Sequence, residues 1–304
     1  MNKIALTVDV EDWYHSPIVT GSTFSKYNSV EEFFEKWNGK FDYLTEPTER
    51  VLNLLELYDL KATFFIVADI VDNYPQLVEK IVNKGHEIAC HGLHHEMIVD
   101  EQGKPRQNSS DLKRNIRLAK EKLERISKEK VIGFRAPSAY IGGWMLDVLE
   151  DIGFKYDSSV CVNSIYSKMD KKPESVTTVP YYPIKGSLEI GKEKRNLLEI
   201  PWPYWKVLGF KFPTAGGPFL RYGGARYIVR GLEQSLKRGD TVFYFHPLDL
   251  SEEKFPIASS KKRPFFWYGK GRRVEKSLRY IFDRYSQRGL FTTCREIREK
   301  WDDI

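Results

Sequence analysis

Short apolar runs alternate with amphipathic segments along this chain, and this alternation restricts the fold more than any other feature. Residues 3–9, 62–67 and 86–90 are apolar, β-rich runs that predict strands buried on both faces. Residues 46–58 and 74–84 lie between these runs and have the apolar spacing of helices. Strands that alternate with helices in this way predict a parallel α/β architecture.

The same pattern continues after the third predicted strand. Further helices are predicted at 110–127, 144–152, 226–238 and 275–287, and further strands at 131–134 and 241–245, with others beginning at 156 and 291. Residues 163–220 interrupt the pattern with Pro, Gly and short β-like pieces such as 197–200. Because no linker, repeat or low-complexity tract divides the sequence, we expect residues 1–304 to form a single domain.

Composition excludes several classes of protein. Hydrophobic residues make up 41% of the 304 residues and charged residues 30%, and the mean hydropathy is −0.48, which together indicate a globular chain rather than a disordered one. No run of 18 apolar residues occurs, so no transmembrane segment is predicted. Acidic residues begin at Asp9, which leaves no room for a signal peptide and predicts a cytoplasmic protein. Three irregularly spaced cysteines fit a reducing compartment.

The net charge of +6 arises mainly late in the chain, where basic residues cluster at 261–263 and 270–273. Such a cluster indicates a solvated face, or a surface that binds an anionic substrate carrier or a membrane. No nucleic-acid recognition motif accompanies it, so a nucleic-acid partner is not expected. The sequence does not predict an oligomeric state.

Polar side chains capable of binding a metal follow two of the predicted strands. His91 and His95 are four residues apart, which places both on one face of a helical turn. Two imidazoles and one carboxylate form a common open site for a divalent metal, whereas the alternative is a surface loop. Asp9, Glu11 and Asp12 repel one another unless a cation or a proton lies among them. One of them can complete the metal site, and another can act as a general base on a metal-bound water.

Two further residues end predicted strands near the same edge. Arg135 precedes a proline turn and is either an ordinary surface residue or the bidentate partner of a buried carboxylate. His246 ends a wholly apolar strand and is either a core residue with satisfied hydrogen bonds or a general acid. Active sites of barrel enzymes lie at these carboxyl ends of strands.

Taken in order, these motifs resemble the polysaccharide deacetylase family (the NodB-homology group, carbohydrate esterase family 4). The matching segments are Thr7-Val-Asp9, Thr63-Phe-Phe65, Gly85-His-Glu87, His91 to His95, Arg135-Ala-Pro137 and His246. The resemblance extends over roughly residues 3–298. The Asp-Val-Glu-Asp-Trp first motif is most similar to a cytoplasmic-type branch that includes enzymes of exopolysaccharide loci.

The resemblance implies a distorted (β/α) barrel of about seven parallel strands and the removal of N-acetyl groups from an N-acetylated sugar. It implies that Asp9 is the general base, His91 and His95 are metal ligands, Arg135 positions the base and His246 is the general acid. Zinc is the expected metal, and cobalt, nickel or iron would accept the same ligands.

The sequence departs from the family at two motifs. The usual first motif has two adjacent aspartates, the second of which binds the metal, and here Val10 occupies that place. Glu11 keeps the strand parity of Asp9, whereas Asp12 has the usual side chain but requires a turn or bulge, and both remain candidates for the third ligand. The usual fourth motif, an aspartate near a tryptophan, has its nearest counterpart in residues 199–202.

The expected substrate is therefore an N-acetylated glycan, a nucleotide sugar or a lipid-linked sugar. Two alternatives remain on the same fold: a related C–N hydrolase that acts on a formamide or a small cyclic amide, and a carbohydrate-binding protein without activity. A non-haem iron oxygenase would use a similar two-histidine, one-carboxylate triad. It normally has a double-stranded β fold, which the strand–helix alternation disfavours.

Overall fold

A computed structural model describes residues 1–16, 19–20, 27–98, 105–106, 108–162, 177–253 and 269–303. The strands are β1 (Ile4–Val10), β2 (Thr63–Ile66), β3 (Glu87–Cys90), β4 (Gly133–Phe134), β5 (Tyr156–Asp157), β6 (Leu198–Glu199), β7 (Tyr204–Val207), β8 (Phe210–Pro213), β9 (Thr241–Phe245) and β10 (Phe291–Thr292). The helices are α1 (Val30–Lys36), α2 (Thr45–Leu57), α3 (Ile70–Asn73), α4 (Pro75–Asn83), α5 (Ser109–Ser127), α6 (Gly143–Ile152), α7 (Pro218–Leu236), α8 (Arg272–Ser286) and α9 (Cys294–Asp302).

Eight of these strands form one parallel sheet, as the sequence predicts. β1 lies at its centre, because it pairs with β2 through Thr7–Val10 and with β9 through Ile4–Val8. The path then continues from β2 through β3, β4 and β5 to β6, so that seven strands follow one another from β9 to β6. β10 adds a short pairing beside Ile4 and Ala5 of β1. All seven residues of β1 are buried, as expected for a strand covered on both faces.

The sheet curls so that its first and last strands approach each other. Trp202 follows β6 and Tyr244 belongs to β9, yet the centroids of their rings are only 4.5 Å apart. Gly216 forms a parallel bridge with Tyr244 beyond the edge of β9, where a Cβ atom would lie 1.6 Å from the Tyr244 carbonyl oxygen. Only glycine permits this close approach. The predicted distorted barrel of about seven parallel strands is therefore confirmed.

Local sequence signals set several helix ends. Asn108 caps α5 by accepting from the backbone N–H of Asp111, and Thr293 and Glu296 form a capping box at the start of α9. Gly153 ends α6 with a positive φ of 94°, as the sequence predicts for a glycine just past a helix. Among the described residues, no helix is long and apolar enough to cross a bilayer.

The main difference from the sequence prediction lies between β6 and β9. The described part of this region contains an antiparallel hairpin, β7–β8, which is separate from the main sheet. α7 begins at Pro218, eight residues before its predicted start, and continues through a kink at Gly224. Helical periodicity fails there because two adjacent glycines, Gly223 and Gly224, interrupt the apolar pattern.

Candidate active site

The carboxyl end of β1 places Asp9 against Arg135. Nη1 of Arg135 lies 2.5 Å from Oδ1 of Asp9 and also donates to Oγ1 of Thr7 at 2.9 Å. Nε and Nη2 donate to the carbonyl and hydroxyl oxygens of Ser158, each at 3.0 Å. Arg135 is fully buried, so its interpretation as a surface residue is wrong. A guanidinium held by this many acceptors fixes the Asp9 carboxylate in one orientation.

Aromatic rings enclose the Arg135 guanidinium. Its central carbon lies 4.0 Å from the centroid of Phe65, 5.3 Å from that of Trp202 and 5.7 Å from that of Tyr244. Trp202 and Tyr244 come from the two ends of the curled sheet. The curl of the sheet therefore brings together these two rings, which form an aromatic wall beside Arg135. Such rings interact favourably with a desolvated cation.

Glu11, His91 and His95 form a compact group beside this pair. One potential ligand atom from each residue lies within 4.8 Å of the other two. The predicted helical turn between the histidines is wrong, because residues 91–98 form a loop after β3. Gly92 and His95 have φ values of 83° and 57°, and this left-handed backbone brings the two imidazole centroids to 5.0 Å.

The hydrogen bonds of both histidines direct the same ring nitrogen toward Glu11. Nδ1 of His91 lies 2.8 Å from the carbonyl oxygen of Arg135, and Nδ1 of His95 lies 3.0 Å from that of His15. A carbonyl only accepts, so each Nδ1 carries a proton, and Nε2 is the ring nitrogen left to act as a ligand. Burial lowers the pKa of His91 to about 4, which favours the neutral imidazole that binds metals.

Nε2 of His95 faces Oε2 of Glu11 at 2.8 Å, although a neutral imidazole nitrogen and a carboxylate oxygen are both acceptors. A proton or a cation between them is required at this distance. Burial opposes ionisation of Glu11, but His95 and His246 outweigh it and hold the Glu11 pKa well below its usual range. Two imidazole nitrogens and a carboxylate oxygen therefore form a donor set that fits a divalent cation.

The structure does not bring Asp12, the other candidate ligand, into this group. Its carboxylate accepts from the backbone N–H of Trp13 at 2.6 Å and from the hydroxyl of Tyr74 at 2.5 Å, and it caps the short 3-10 helix Trp13–His15. Burial raises its pKa to about 6. Asp12 is occupied as a cap because the backbone turns immediately after Glu11.

A hydrogen-bonded chain behind His95 was not predicted from the sequence. Nδ1 of His15 accepts from the backbone N–H of Asp12, so its Nε2–H donates to Oδ1 of Asp69 at 2.9 Å. Nδ1 of His94 lies 3.0 Å from the second oxygen of Asp69. The carbonyl of His15 in turn accepts from His95, so this chain fixes the orientation of the His95 ring.

His246 follows β9 and contacts Glu11 of the group. Its Nε2 lies 3.1 Å from Oε1 of Glu11, and its Nδ1 lies 3.1 Å from Oδ2 of Asp249. Arg221 pairs with the other oxygen of Asp249, and all three side chains are buried. Burial disfavours the imidazolium, but Asp249 and Glu11 outweigh it and raise the His246 pKa to about 10. Asp249 was not predicted from the sequence, although an acidic residue three positions after His246 is a signal that the sequence contains.

Glu199 lies away from the candidate metal ligands. It stands opposite Asp157 on the neighbouring strand, and both residues are fully buried. Burial raises the pKa of Asp157 to about 6, and burial together with Asp157 raises that of Glu199 well above its usual value. Asp157 accepts hydrogen bonds from the backbone N–H and the hydroxyl of Ser159, and Glu199 accepts one from the backbone N–H of Val160. Of the segment at residues 199–202, only Trp202 reaches the site.

Part of the late basic cluster lies beside the site, because the backbone N–H of Gly271 donates to the carbonyl oxygen of Asp249 at 2.7 Å. Lys261, Lys262 and Arg263 lie outside the described residues. Within residues 270–273, Nζ of Lys270 donates to the Ser251 carbonyl oxygen at 2.6 Å, and burial lowers the Lys270 pKa to about 8.

Two family models match this chain. Residues 37–156 match the polysaccharide deacetylase family, and residues 169–298 match a domain of unknown function, DUF3473. A peptidoglycan-N-acetylglucosamine deacetylase of Bacillus cereus is 33% identical over 119 residues, which are 38% of this chain and 52% of the relative. The chain thus matches about half the length of that relative.

Solved structures share the fold over nearly the whole chain. A Mycobacterium smegmatis protein assigned as a polysaccharide deacetylase superposes with a TM-score of 0.61 at 21% identity, covering 99% of this chain and 91% of the other. The allantoinase PuuE superposes with a TM-score of 0.60 at 14% identity, covering 98% and 89%. The motifs, the curled parallel sheet and the family match agree. Residues 37–156 therefore belong to the polysaccharide deacetylase family.

Proposed function

We propose that this protein is a metal-dependent hydrolase that removes N-acetyl groups from an N-acetylated sugar. The observation that carries the proposal is the placement of two charged pairs around one metal-fitting group. Asp9 pairs with Arg135 near Glu11, His91 and His95, and His246, which pairs with Asp249, contacts Glu11. The names of family members that act on peptidoglycan and chitin support the sugar substrate.

His91, His95 and Glu11 would hold the divalent cation, with zinc as the expected metal. A cation bound there supplies Lewis acidity for the acetamide carbonyl and lowers the pKa of a water ligand. Asp9, oriented by Arg135, would take the proton from the attacking water. His246, oriented by Asp249, would deliver a proton to the departing amine, so that the C–N bond breaks with acetate and a free amino sugar as products.

The chain of Asp12, His15 and Asp69 supports this arrangement by holding His95. We also infer that residues 1–304 act as one domain, because the strand that delivers Asp9 pairs with β9 and β10 from the other end of the sequence. The cation, the base and the acid then belong to a single folding unit.

The test combines metal analysis with a substrate screen. The purified protein should contain close to one divalent metal per chain and release acetate from N-acetylated oligosaccharides, nucleotide sugars or lipid-linked sugars. A faster reaction on formylated sugars or small cyclic amides would instead support a related C–N hydrolase. Stoichiometric metal with sugar binding but no amine release would leave a carbohydrate-binding protein and would refute the proposed activity.

A further inference from the structure

We propose that the β7–β8 hairpin docks this protein on the surface of an anionic lipid bilayer. This inference goes beyond the hydrolytic function and does not depend on it. The hairpin is separate from the main sheet, and three of its apolar side chains are exposed to solvent: Leu208 is 91% exposed, Phe210 70% and Phe212 40%. An exposed apolar cluster of this kind marks a binding surface.

Leu208 in the turn has a backbone conformation that is unfavourable for leucine and that folding by itself does not explain. Leu208 and Gly209 form the two-residue loop, and both have positive φ values, 48° and 83°. A loop of this type favours Asn-Gly or Asp-Gly, because a bulky side chain is strained in the left-handed region. A leucine that is both strained and almost fully exposed contributes little to packing, so we infer that it contacts something outside the chain.

The hairpin holds its tip away from the rest of the protein. Gln234 of α7 accepts from the backbone N–H of Lys206 at 2.9 Å and donates to its carbonyl at 3.0 Å. The hydroxyl of Tyr227 donates to the carbonyl of Pro213 at 2.9 Å. A Cβ atom placed on Gly209 would meet nothing within 4 Å. The base is therefore fixed against α7 while the tip projects.

The two faces of the hairpin differ in character. Strand register pairs Val207 with Phe210 and Trp205 with Phe212 on one face, and the rings of Trp205 and Phe212 lie 6.0 Å apart. The alternation of side chains places Lys206 on the other face. Trp205 packs on Tyr227 of α7 with ring centroids 6.2 Å apart, so the exposed apolar surface consists of the tip together with Phe210 and Phe212.

The opposite face carries positive charge. Lys206 and Lys211 stand directly across from each other, and Nζ of Lys211 lies 5.0 Å from the ring centroid of Tyr204. Burial, with Lys206 and Arg238 adding their charges, lowers the pKa of Lys211. Arg238 lies over Tyr204 at 4.6 Å, which keeps a third cation at the base of the hairpin.

An apolar tip flanked by cations and aromatic rings is complementary to the boundary between anionic headgroups and acyl chains. Leucine and phenylalanine side chains partition into that boundary, lysines pair with lipid phosphates, and tryptophan and tyrosine favour the interface. A two-residue tip is small for a specific protein interface, which usually buries at least about 1,200 Å². Binding to a bilayer does not require a buried area of that size.

The ends of the hairpin connect to the candidate active site. Trp202 precedes β7 and Ala215 follows β8, and both pack in one cluster with Tyr244. Docking through the tip would bring this wall close to the membrane. If the proposed function is correct, and this step alone rests on it, the substrate is a sugar carried on a membrane lipid.

Vesicle co-sedimentation of the full chain tests the docking without requiring catalysis. The protein should bind vesicles of phosphatidylcholine mixed with phosphatidylglycerol more tightly than vesicles of phosphatidylcholine alone, and salt should weaken that binding. Leu208→Asn combined with Phe210→Ser should weaken binding at least about tenfold. Lys206→Gln combined with Lys211→Gln should weaken binding to the anionic vesicles specifically.

Matched controls use exposed residues far from the hairpin in sequence. Leu57→Ser with Leu118→Ser removes apolar side chains that are 65% and 44% exposed and should leave binding unchanged. Arg117→Gln with Arg125→Gln removes two exposed positive charges from α5 and should likewise leave binding unchanged. Leu208→Asn alone should maintain or raise the melting temperature while weakening binding, because asparagine tolerates the turn conformation.

Three results would overturn the inference. The first is wild-type protein that binds neither kind of vesicle, or both equally. The second is a tip variant that binds as tightly as wild type. The third is a tip variant that converts a dimer into a monomer in sedimentation velocity without vesicles, which would assign the hairpin to a contact between copies of this chain.

Discussion

Asp249 lies three residues after His246 and accepts a hydrogen bond from its Nδ1 over 3.1 Å. The same carboxylate oxygen accepts from the backbone N–H of His246 at 2.9 Å. Arg221 pairs with the second oxygen, so a buried acid is held from both sides, and the pKa of Asp249 falls to about 2 because these two partners outweigh burial. The imidazole therefore has one orientation, with Nε2 toward Glu11.

We expect Asp249→Asn to lower kcat by about 10²- to 10⁴-fold, the range for loss of a positioned proton donor. KM and metal content should change little, because Asp249 does not contact the candidate metal ligands. Steady-state kinetics and metal analysis measure both. Asp240→Asn is the matched control, since it removes another buried acid that pairs with Lys300 at 2.8 Å. Equal kcat for Asp249→Asn and wild type would show that His246 does not need this partner.

Much of the fold could be predicted because its signals are local. The strand at 241–245 matches β9 residue for residue, since an apolar, β-rich run bounded by Asp240 and His246 requires no tertiary information. Gly153 ended α6 for the same kind of reason. The β7–β8 hairpin was missed because its Leu-Gly turn lacks the asparagine or aspartate that usually marks such a loop.

The site was predicted less completely, because its geometry depends on contacts between distant segments. The sequence leaves Glu11 and Asp12 both open as the third metal ligand, because nothing local indicates that Tyr74 engages Asp12 from 62 residues away. The four-residue spacing of His91 and His95 suggested a helical turn, whereas left-handed residues in a loop bring the rings together. Spacing alone does not distinguish these two backbones.

Asp9→Asn should abolish deacetylation while the metal content stays the same. The amide keeps the size of the side chain and a contact with Arg135 but cannot accept a proton from water, so kcat should fall by at least about 10²-fold. Acetate release and metal analysis on the same sample measure the two effects. Activity within a few-fold of wild type would exclude Asp9 as the general base.

His91→Ala should lose the metal, and His94→Ala should retain it. Both variants shorten a histidine of the same loop, but only His91 has an Nε2 directed toward Glu11 and His95, whereas His94 contacts Asp69. Metal content after gel filtration gives the comparison. A His91→Ala protein that still holds stoichiometric metal would contradict the ligand assignment.

Glu11→Gln and Asp12→Asn separate the two candidate carboxylate ligands. Glu11→Gln should weaken metal affinity strongly, since it replaces an anionic oxygen ligand with a neutral one. Asp12→Asn should retain the metal and lose about 0.5–2 kcal/mol of unfolding free energy, the usual cost of weakening a helix cap. Metal titration and denaturant unfolding measure these effects. The reverse pattern would assign the metal to Asp12.

His86 gives a pH-dependent prediction that is independent of the site. Its ring packs against Phe64 at 5.0 Å, its Nδ1 has no hydrogen-bond partner among the described residues, and burial, aided by the charges of Lys61 and Lys84, lowers its pKa from 6.5 to about 4. The unfolded chain therefore binds a proton below pH 6.5 that the folded protein does not bind until pH 4. Native stability falls as the pH drops through this window.

His86→Phe removes this titration and retains an aromatic ring beside Phe64. The unfolding free energy of the variant relative to wild type should be constant above pH 7. This difference should then rise between pH 6.5 and 4 by at most about 3.5 kcal/mol, at about 1.4 kcal/mol per pKa unit. Urea unfolding of both proteins across this range measures the difference. A difference that does not change with pH would mean that His86 becomes protonated in the folded protein as readily as in the unfolded chain.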